Sequence, residues 1–333
     1  MYKKIAVIYG GDSSEWEISC KSGRFVAGNI DSEKYDVYEI LARFGSWKLI
    51  SYNKNNRGRV ELAERNIEVD KNDFSIMIDE EKIAFDFAYI MQHGAPGENG
   101  LLQGYLEMLN IPFSTCSSFV SAITFDKQSC KQYVYPVDYV KCAKDIYVRK
   151  GQEINTDEFV EKLGLPLFVK PTVGGSSFGI SKVKNKEEIL TALDYAYTES
   201  PTVILESAIS GRELTDAVYF DGKALVSLPV IEIISENDYF DYEAKYEGKS
   251  KEVCPAKIPS SLCDEIQEVS KKLYKHLNCS GLVRFDYISA EDGLYFLEVN
   301  TIPGMTSASL VPQMLKAENL EIKDFLSIII ENN

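Results

Sequence analysis

Basic residues and histidines are scarce in this chain, and their scarcity excludes several classes of protein. The 333 residues include 36 Lys+Arg against 51 Asp+Glu, so the formal net charge is −15, and they include only 2 His. Proteins that bind the phosphate backbone of duplex nucleic acid need a basic face. The composition therefore predicts no nucleic-acid partner.

Long apolar runs and paired cysteines are missing too. The longest apolar stretches, such as residues 326–330 with Ser327 among them, are far shorter than the roughly 20 residues that span a bilayer. The apolar run near the first residue is too short for the core of a signal peptide. The 7 Cys are odd in number and contain no C-x-x-C pair, which is typical of free thiols in a reducing compartment. We expect a cytoplasmic protein without a membrane segment.

Two common nucleotide-binding motifs are absent as well. Gly248, Lys249 and Ser250 resemble the end of a Walker loop, but Glu243 stands where such a loop needs its first glycine. The first apolar strand is followed by GGDSS at 10–14 and not by a G-x-G-x-x-G fingerprint. Neither motif therefore supports nucleotide binding.

The remaining pattern is that of a globular α/β protein. Hydrophobic residues make up 45% and charged residues 26%, and a chain of this length usually forms two or three domains. In the N-terminal third, strand signals alternate with helix signals, which predicts βαβ units and a mostly parallel sheet. The strands are expected at 5–9, 35–41, 85–91 and 112–116, the helices at 16–30 and 101–109, and an irregular surface excursion at 52–83.

Two further lobes are predicted after this unit. Strands are expected at 166–171, 203–206, 212–220, 224–234, 281–288 and 294–300, and helices at 117–134, 186–198 and 264–278. We therefore predict an α/β and α+β fold in three lobes, with bounds at 1–116, 117–211 and 212–333. The charged, tyrosine-rich stretch 235–251 lacks periodicity, and a loop of that length is usually functional or mobile.

Four polar residues carry the strongest chemical signal. Residues i and i+2 of a strand share a face, so Arg284 lies beside Asp286, and Glu298 beside Asn300. The turn residues between them predict an antiparallel hairpin that is symmetric about Asp292, with Asp286 opposite Glu298 and Arg284 opposite Asn300. Such oxygen ligands suit Mg²⁺ held jointly with substrate phosphates, and the arginine suits a phosphoryl oxygen. A solvent-facing polar strand with a salt bridge is the alternative.

Two small-residue segments have features of anion sites. Pro303-Gly304 gives a tight turn that leads into a helix at about Ser309, where backbone N–H groups and hydroxyls hold an anion, receive an ordinary N-cap, or do both. The glycine-rich turn 174–179 follows a predicted strand, and small residues let backbone amides approach phosphate closely. Lys127 and Lys170 are available as phosphate contacts, although most lysines are merely solvated.

Two residues lie where α/β sheets place ligands, at strand ends that open onto glycine-rich loops. His93 ends an apolar strand and is either a ligand residue or a structural histidine. Glu15 follows the first strand and either binds a substrate ammonium group or begins a helix with a favourable charge. His276 lies near the C-terminal end of a predicted helix and is most simply a helix-end residue.

Six segments of the chain carry a joint signal. They are GGDSSEWEISCKSG at 10–23, HGAPGENGLLQG at 93–104, KPTVGGSSFG at 170–179, FDYEAKY at 240–246, RFD at 284–286 and EVNTIPGMTSASL at 298–310. Together, and in this order, they resemble the D-alanine–D-alanine ligase family of the ATP-grasp superfamily over nearly the whole chain. The resemblance implies a three-lobed ATP-grasp fold with an N-terminal parallel-sheet domain.

The resemblance also implies an activity, the ATP-dependent joining of two D-alanines for peptidoglycan precursors. The carboxylate of the first D-alanine attacks the γ-phosphate of ATP, and the amine of the second attacks the resulting acyl phosphate and expels phosphate. Positioning and charge neutralisation supply most of such catalysis. The family is usually dimeric, so a homodimer is implied, and the stretch 235–251 becomes a lid that excludes water from the acyl phosphate.

Roles for individual residues follow from the same resemblance. Asp286, Glu298 and Asn300 would hold two Mg²⁺ ions, for which Mn²⁺ could substitute, while Arg284 and the backbone amide of Gly304 would stabilise the oxyanion. The residues that match the ATP contacts of the family are Lys127 and Lys170 for the phosphates, Ser177 in the glycine-rich turn, Glu206, Ala208 and Ile209 for adenine, and Glu213 for the ribose.

A second set of residues matches the amino-acid sites of the family. Glu15 would bind the ammonium group of the first D-alanine and hydrogen-bond through Ser176 to Tyr246. His93 would orient the first substrate. The residues that would hold the second D-alanine are Lys245 and Ser309 at its carboxylate, with Leu310 beside it.

Three positions depart from the family pattern. Many members have histidine at Ala308 and an acidic residue at Gly174 or Asn99, which bears on affinity more than on reaction type. Tyr246 favours the dipeptide product, since relatives that form D-alanyl-D-lactate often have phenylalanine there. The alternatives are a related ligase that uses D-lactate or D-serine as acceptor, and a catalytically silent nucleotide-binding protein on the same fold.

Overall fold

Three large β-sheets and the helices packed on them make up most of the described chain. The computed structural model describes residues 2–62, 67–175, 178–235 and 250–333. The first and third sheets mix parallel with antiparallel pairs and the second is antiparallel, which, with the helices, confirms the predicted α/β and α+β class. Of the helices in these ranges, none combines the length and the apolar character that a membrane crossing requires.

The first sheet has parallel strands at its centre. In spatial order its strands are β4 (Val60–Glu61), β3 (Ser46–Asn53), β2 (Tyr35–Arg43), β1 (Lys3–Gly10) and β8 (Phe87–Ile90), with β5 (Ile67–Glu68) also paired to β3. β1 runs parallel to both β2 and β8, and its apolar residues are buried as expected for a central parallel strand. The elements around this sheet are α1 (Trp16–Asn29), α2 (Leu101–Met108) and the hairpin of β6 (Ser75–Ile78) and β7 (Glu81–Ala84).

The second sheet is antiparallel and has its own core. Its strands, in order, are β10 (Asp145–Arg149), β13 (Thr202–Ser207), β11 (Leu167–Pro171) and β12 (Ser181–Val183). Helices α5 (Thr156–Leu163) and α6 (Ile189–Ala196), the latter preceded by a 3-10 turn at Lys186–Glu188, cover one face. Phe168, Lys170 and Glu206 lie on the other face, because alternate strand residues point to opposite sides.

The third sheet contains the predicted hairpin. Its strands, in order, are β17 (Ser250–Val253), β16 (Ile231–Ser235), β14 (Arg212–Phe220), β18 (Val283–Ala290), β19 (Gly293–Asn300) and β9 (Lys141–Cys142), with β15 (Leu225–Ser227) paired to β14. The helices whose apolar residues share the core of this sheet are α3 (Ser118–Phe125), α4 (Lys127–Val134) and α7 (Ser260–His276).

The last two helices return to the first sheet. α8 (Leu310–Ala317) and α9 (Ile322–Glu331) bury apolar side chains in the core that β1 and β2 occupy. Lys3 Nζ donates a hydrogen bond to the Ile330 carbonyl at 3.0 Å, and Tyr35 donates one to Glu331 at 2.7 Å. The domain bounds at 1–116, 117–211 and 212–333 stay a prediction, and this shared core joins the first and last of the three segments.

Local structure differs from the sequence prediction at several places. The helix predicted at 117–134 is two helices, because Asp126 is extended and its carboxylate caps α4 at the Ser129 amide, 2.7 Å away. The strand predicted at 224–234 is broken around Pro229, which lacks the N–H that a ladder needs. Residues 112–116 form a bridge to β8 and not a strand, and the region 52–83 contains more strand than expected.

Candidate active site

The carboxyl ends of β1 and β8 bring two loops together at one edge of the first sheet. The strands are parallel neighbours, so both end at the same edge. The Asp12 N–H donates to the Ala95 carbonyl at 3.1 Å, and Ser13 Oγ donates to the His93 carbonyl at 2.8 Å. Glu15 stands at the end of the first loop as the N-cap residue of α1. The structure therefore places Glu15 and His93 on two joined loops.

The Glu15 carboxylate is enclosed by two glycines from different parts of the chain. A Cβ atom added to Gly175 would collide with it, at 2.8 Å from Oε1 and closer still to Oε2. A Cβ atom added to Gly94 would lie 3.4 Å from Glu15 Oε2. The glycine at position 175 thus permits a close approach that a side chain would block. The glycine-rich turn therefore lies directly against the carboxylate of Glu15.

His93 is a neutral, buried residue with both ring nitrogens engaged. Its Nδ1 lies 3.0 Å from the Ile302 carbonyl and its Nε2 lies 3.1 Å from Ser22 Oγ. A carbonyl only accepts, so Nδ1 carries the proton and Nε2 accepts from the serine hydroxyl. Burial lowers the pKa of His93. The ring therefore ties the segment after the hairpin to the first sheet.

The hairpin has the predicted register at the end that contains Arg284 and Asn300. The pairs Arg284 with Asn300 and Asp286 with Glu298 are both present. A bulge directly after Asp286 shifts the rest of the pairing by one residue, so the predicted symmetry about Asp292 is wrong beyond that point. Bulges of this kind commonly re-aim side chains near active sites.

Asp286 is the centre of a polar cluster on the face of the third sheet. Arg284 donates from Nε to Oδ1 and from Nη2 to Oδ2, both at 2.9 Å. Asn300 Nδ2 donates to Oδ2 at 3.0 Å, and Thr215 Oγ1 donates to Oδ1 at 2.5 Å. The carboxylate is held rigidly by these charge-assisted and neutral donors, and Asp286 is only 5% exposed. Glu213 lies two residues before Thr215 on β14 and therefore on the same face.

The donor set fits a divalent cation that arrives together with phosphate groups. Within the described ranges, no group of three or more His, Cys, Asp or Glu side chains is arranged to hold a metal by itself. Mg²⁺ commonly takes one or two carboxylates and completes its shell with substrate phosphates and water, and Asp286 and Glu298 are two such carboxylates. Arg284 and the Asn300 amide both donate to the Asp286 carboxylate, so the cation and the amide of this donor set lie directly at the carboxylate.

The segment after the hairpin folds Gly304 onto Ser309. A Cβ atom added to Gly304 would lie 3.0 Å from Ser309 Oγ. This hydroxyl accepts from the Thr306 N–H at 2.9 Å and lies 2.8 Å from Thr306 Oγ1. Among the described residues it makes no capping hydrogen bond to α8, so the ordinary N-cap interpretation is wrong for this side chain. Leu310, the first residue of α8, is buried.

Lys127 and the glycine-rich turn lie together, as expected for a phosphate site. Lys127 is the first residue of α4, and its backbone N–H donates to the Thr172 carbonyl at 2.8 Å. Its Nζ donates to the Gly174 carbonyl at 3.0 Å. An ammonium group beside a turn of small residues is a suitable arrangement for binding an anion.

Glu206 lies between two lysines on the face of the second sheet that α5 and α6 do not cover. Its Oε2 is 2.6 Å from Lys170 Nζ, and its Oε1 is 2.6 Å from Lys131 Nζ. Burial alone would raise the pKa of Glu206, but the two ammonium groups outweigh it and lower the pKa to about 2. Ala208 and Ile209 follow β13 directly and lead towards β14.

Two residues of the site had not been identified from the sequence. Thr215 is brought to Asp286 by the pairing of β14 with β18, which sequence spacing does not reveal. Glu98 accepts from the Gly94 N–H at 2.6 Å. Burial of its carboxyl group, followed by the charge of Glu15, raises the pKa of Glu98 to about 8. The only available signal for Glu98 was its place in the loop after His93.

Several expected site residues lie outside the described residues. These are Ser176, Ser177, Lys245, Tyr246 and most of the stretch 235–251. Their assigned roles stay predictions.

Known proteins of one family match the whole chain. Family models described as the N-terminus and the C-terminus of D-ala D-ala ligase match residues 4–116 and 133–331. A D-alanine–D-alanine ligase of Phocaeicola vulgatus is 42% identical over 333 residues, which is 100% of this chain and 99% of the relative.

The crystal structure of VanG D-Ala:D-Ser ligase from Enterococcus faecalis has a TM-score of 0.84 and 32% identity over 99% of both chains. The Bacillus anthracis D-alanine–D-alanine ligase complexed with ATP has a TM-score of 0.76 and 29% identity, over 99% of this chain and 97% of that one. With both family models and a full-length relative in agreement, this chain belongs to the D-alanine–D-alanine ligase family.

Proposed function

We propose that this chain uses ATP to join two D-alanines into D-alanyl-D-alanine, through an acyl phosphate, for peptidoglycan precursors. The observation that carries the proposal is the Arg284–Asp286 pair, held at the end of the hairpin opposite Asn300 and Glu298. Transfer of a phosphoryl group to a carboxylate brings anionic groups together, and an arginine beside two carboxylates that can hold cations offsets that repulsion.

The relatives support the dipeptide product over other acceptors. The Phocaeicola vulgatus relative, at 42% identity, is named for D-alanine as both substrates. The support comes from relatives of this name at 40–43% identity, because among the solved structures the Enterococcus faecalis ligase named for D-serine is 32% identical and the Bacillus anthracis D-alanine–D-alanine ligase 29%. The Bacillus anthracis structure was determined with ATP, which supports ATP as the nucleotide for this chain.

The nucleotide is assigned to residues of the second sheet, of the start of α4 and of β14 in the third sheet. Lys127 and Lys170 would contact its phosphates, together with Ser177 of the glycine-rich turn. The residues assigned to the nucleoside are Glu206, Ala208 and Ile209 for adenine and Glu213 for the ribose. Two Mg²⁺ ions, held by Asp286, Glu298 and Asn300 when bound and replaceable by Mn²⁺, would neutralise the phosphate charge.

The amino acids are assigned to the edge of the first sheet and the segment after the hairpin. Glu15 would hold the first ammonium group, and its enclosure by Gly94 and Gly175 fixes where that group can lie. His93 acts by position, because its ring is neutral and both nitrogens are engaged. The residues assigned to the second D-alanine are Lys245, Ser309 and Leu310.

The order of events follows from the charges. The first carboxylate attacks the γ-phosphate and expels ADP while Arg284 balances the negative charge. The second D-alanine, as its free amine, then attacks the carbonyl carbon of the acyl phosphate and gives up a proton as the amide forms. The oxyanion that forms would be stabilised by Arg284 and the Gly304 N–H until phosphate leaves. Ser176, Tyr246 and the lid 235–251 would complete the first site and exclude water.

The test is phosphate release from ATP with Mg²⁺, with D-alanine present or absent, and mass analysis of the product. We expect release that depends on D-alanine and a product with the mass of the dipeptide. If phosphate is released only after D-lactate or D-serine is added, the proposed mechanism stands and the acceptor is D-lactate or D-serine in place of the second D-alanine. No release with any acceptor would leave a nucleotide-binding protein without this activity.

We also infer a homodimer that works in the cytoplasm, as the family resemblance implies. Sedimentation should then give twice the chain mass of 37.5 kDa. A sedimenting species of a single chain mass would contradict the dimer and would leave the proposed reaction untouched.

A further inference from the structure

Lys131 is a buried cation that no step of the proposed reaction uses. It lies in α4 and is 3% exposed. Its Nζ lies 2.6 Å from Glu206 Oε1, 2.7 Å from Asp145 Oδ2 and 2.9 Å from the Ala143 carbonyl. An ammonium group has three donors, and here each meets an acceptor. Burial alone would lower the pKa of Lys131, but Glu206 and Asp145 outweigh burial and raise it, so the group stays charged.

Lys131 joins two strands of the second sheet through a chain of ion pairs. The chain runs from Asp145 on β10 through Lys131 to Glu206 on β13, and from there to Lys170 on β11. Tyr135 donates to Asp145 Oδ2 at 2.6 Å, at the end of the chain of ion pairs that is opposite Lys170. Two ammonium groups and two carboxylates balance, and a buried set of this kind is strongly disturbed when one member is removed.

The chain of ion pairs ends in the nucleotide site. Two members of this chain of ion pairs, Glu206 and Lys170, are among the residues assigned to ATP. Both lie on the face of the second sheet that α5 and α6 do not cover. Lys127 lies four residues before Lys131, hence on the same side of α4, and it contacts the glycine-rich turn. One helix therefore presents one lysine to the phosphate turn and a second to Glu206.

We propose that Lys131 is a positioning residue of the nucleotide site, which holds the Glu206 carboxylate between two cations and keeps Lys170 from becoming its only partner. The inference rests on the proposed function, because it takes Glu206 and Lys170 as contacts of ATP. Without Lys131, the buried Glu206 carboxylate has one cation left, and Lys170 is drawn to it and away from a phosphate.

The test compares Lys131→Met with a matched lysine elsewhere. Lys82, on β7, also pairs with an aspartate, at 2.5 Å from Asp73, but it is exposed. We expect Lys131→Met to raise the KM for ATP about 10- to 100-fold, the loss of one or two charge-assisted contacts. The KM for D-alanine should stay within about twofold, and Lys82→Met should change neither constant.

Two more variants separate positioning from mere structural support. Lys131→Arg keeps the charge in a different geometry and should raise the KM for ATP only about three- to tenfold; it carries the test if Lys131→Met does not fold. The double variant Lys131→Met with Glu206→Gln should have no higher KM for ATP than Glu206→Gln alone, because Lys131 acts through Glu206.

An unchanged KM for ATP in Lys131→Met, or a rise in both KM values together, would overturn the proposal. Failure of the proposed function looks different: the unaltered chain would then release no phosphate in the presence of D-alanine.

Discussion

Two buried carboxyl groups on neighbouring sheets, Glu206 and Asp216, have pKa values shifted in opposite directions. Burial raises the pKa of both. The ammonium groups of Lys170 and Lys131 outweigh burial at Glu206 and lower its pKa to about 2. At Asp216 the hydrogen bonds of hydroxyl groups, such as Ser227 Oγ at 2.6 Å, do not offset burial, and the pKa is raised to about 7.

The difference teaches that neighbouring cations can lower the pKa of a buried carboxyl group where hydrogen bonds from hydroxyl groups do not. Thr215 and Asp216 are adjacent on β14 and therefore face opposite sides of the third sheet. The Thr215 side contains Asp286, with Arg284 as its cation. The Asp216 side faces α7, where apolar packing dominates. The ion pair of Asp286 with Arg284 lies on the side where phosphate chemistry is proposed, and burial raises the pKa of the carboxyl group behind it.

The largest expected effect comes from removing Arg284, so that Asp286 loses its cationic partner. Arg284→Ala should lower the rate of D-alanine-dependent phosphate release about 100- to 1,000-fold, because the developing charge loses its principal donor. The affinity for ATP alone should change by less than about threefold, since Arg284 is assigned to the reacting groups. Phosphate release and equilibrium ATP binding are the two measurements.

Arg212→Ala is the matched control for this prediction. Arg212 lies on the same sheet and makes the same two-pronged contact, with Nε and Nη2 at 2.6 and 2.7 Å from the Glu232 carboxylate, but at the surface. It should retain nearly full activity. Near-normal activity in Arg284→Ala would remove Arg284 from the reaction and leave the Arg284–Asp286 pair a structural salt bridge.

A smaller effect, on stability, is expected from Asp216→Asn. The folded pKa of Asp216, about 7, lies above the ordinary value of 3.8 for an aspartate. Its contribution to stability is therefore fully present below about pH 4 and is lost as the pH rises towards and through about 7. An asparagine side chain cannot ionise, so the variant should lack this loss, which is on the order of 2–4 kcal/mol between pH 4 and pH 8.

Urea unfolding at these two pH values measures the difference. Glu291→Gln, an exposed substitution on the turn of the hairpin, is the control and should follow the unaltered chain. An equal loss of stability in Asp216→Asn and the unaltered chain would mean that Asp216 is already ionised when folded, and the contrast with Glu206 would then disappear.

The hairpin shows how far local sequence rules reach. Strand alternation and turn chemistry were enough to pair Asp286 with Glu298 and Arg284 with Asn300. They could not locate the bulge after Asp286, because an extra residue in one strand changes neither the alternation nor the turn residues. The same limit applies at Asp126, where one capping residue ends one helix and begins the next inside a continuous helical pattern.

Contacts between distant segments are the part that the sequence could not supply. Thr215 meets Asp286 only through strand pairing, and Lys131 meets Glu206 across 75 residues of chain. The family resemblance assigned Lys127 and Glu206 to ATP separately, but it did not point to the lysine that connects α4 to β13. The charge state of a buried carboxyl depends on such contacts, so the contrast between Glu206 and Asp216 had no counterpart in the sequence.

The smallest expected effect tests a third buried carboxyl group, Glu98, whose pKa is raised as that of Asp216 is. Burial and the charge of Glu15 raise its pKa to about 8, while the Gly94 N–H and Arg284 act in the opposite direction. Glu98 is therefore largely protonated at neutral pH and ionises as the pH rises through about 8. The new charge beside Glu15 should disturb the first D-alanine site, so kcat/KM for D-alanine should fall about two- to fivefold between pH 7 and pH 9.

Glu98→Gln imitates the protonated form and should flatten this part of the pH profile while keeping most of the activity at pH 7. Glu17→Gln, an exposed change in the first turn of α1, should keep the profile of the unaltered chain and controls for the loss of one surface carboxylate. A decline of the same steepness in Glu98→Gln would assign the alkaline loss to another group. Glu98 would then act only through its hydrogen bond to Gly94, and Glu98→Ala would be expected to raise the KM for D-alanine equally at every pH.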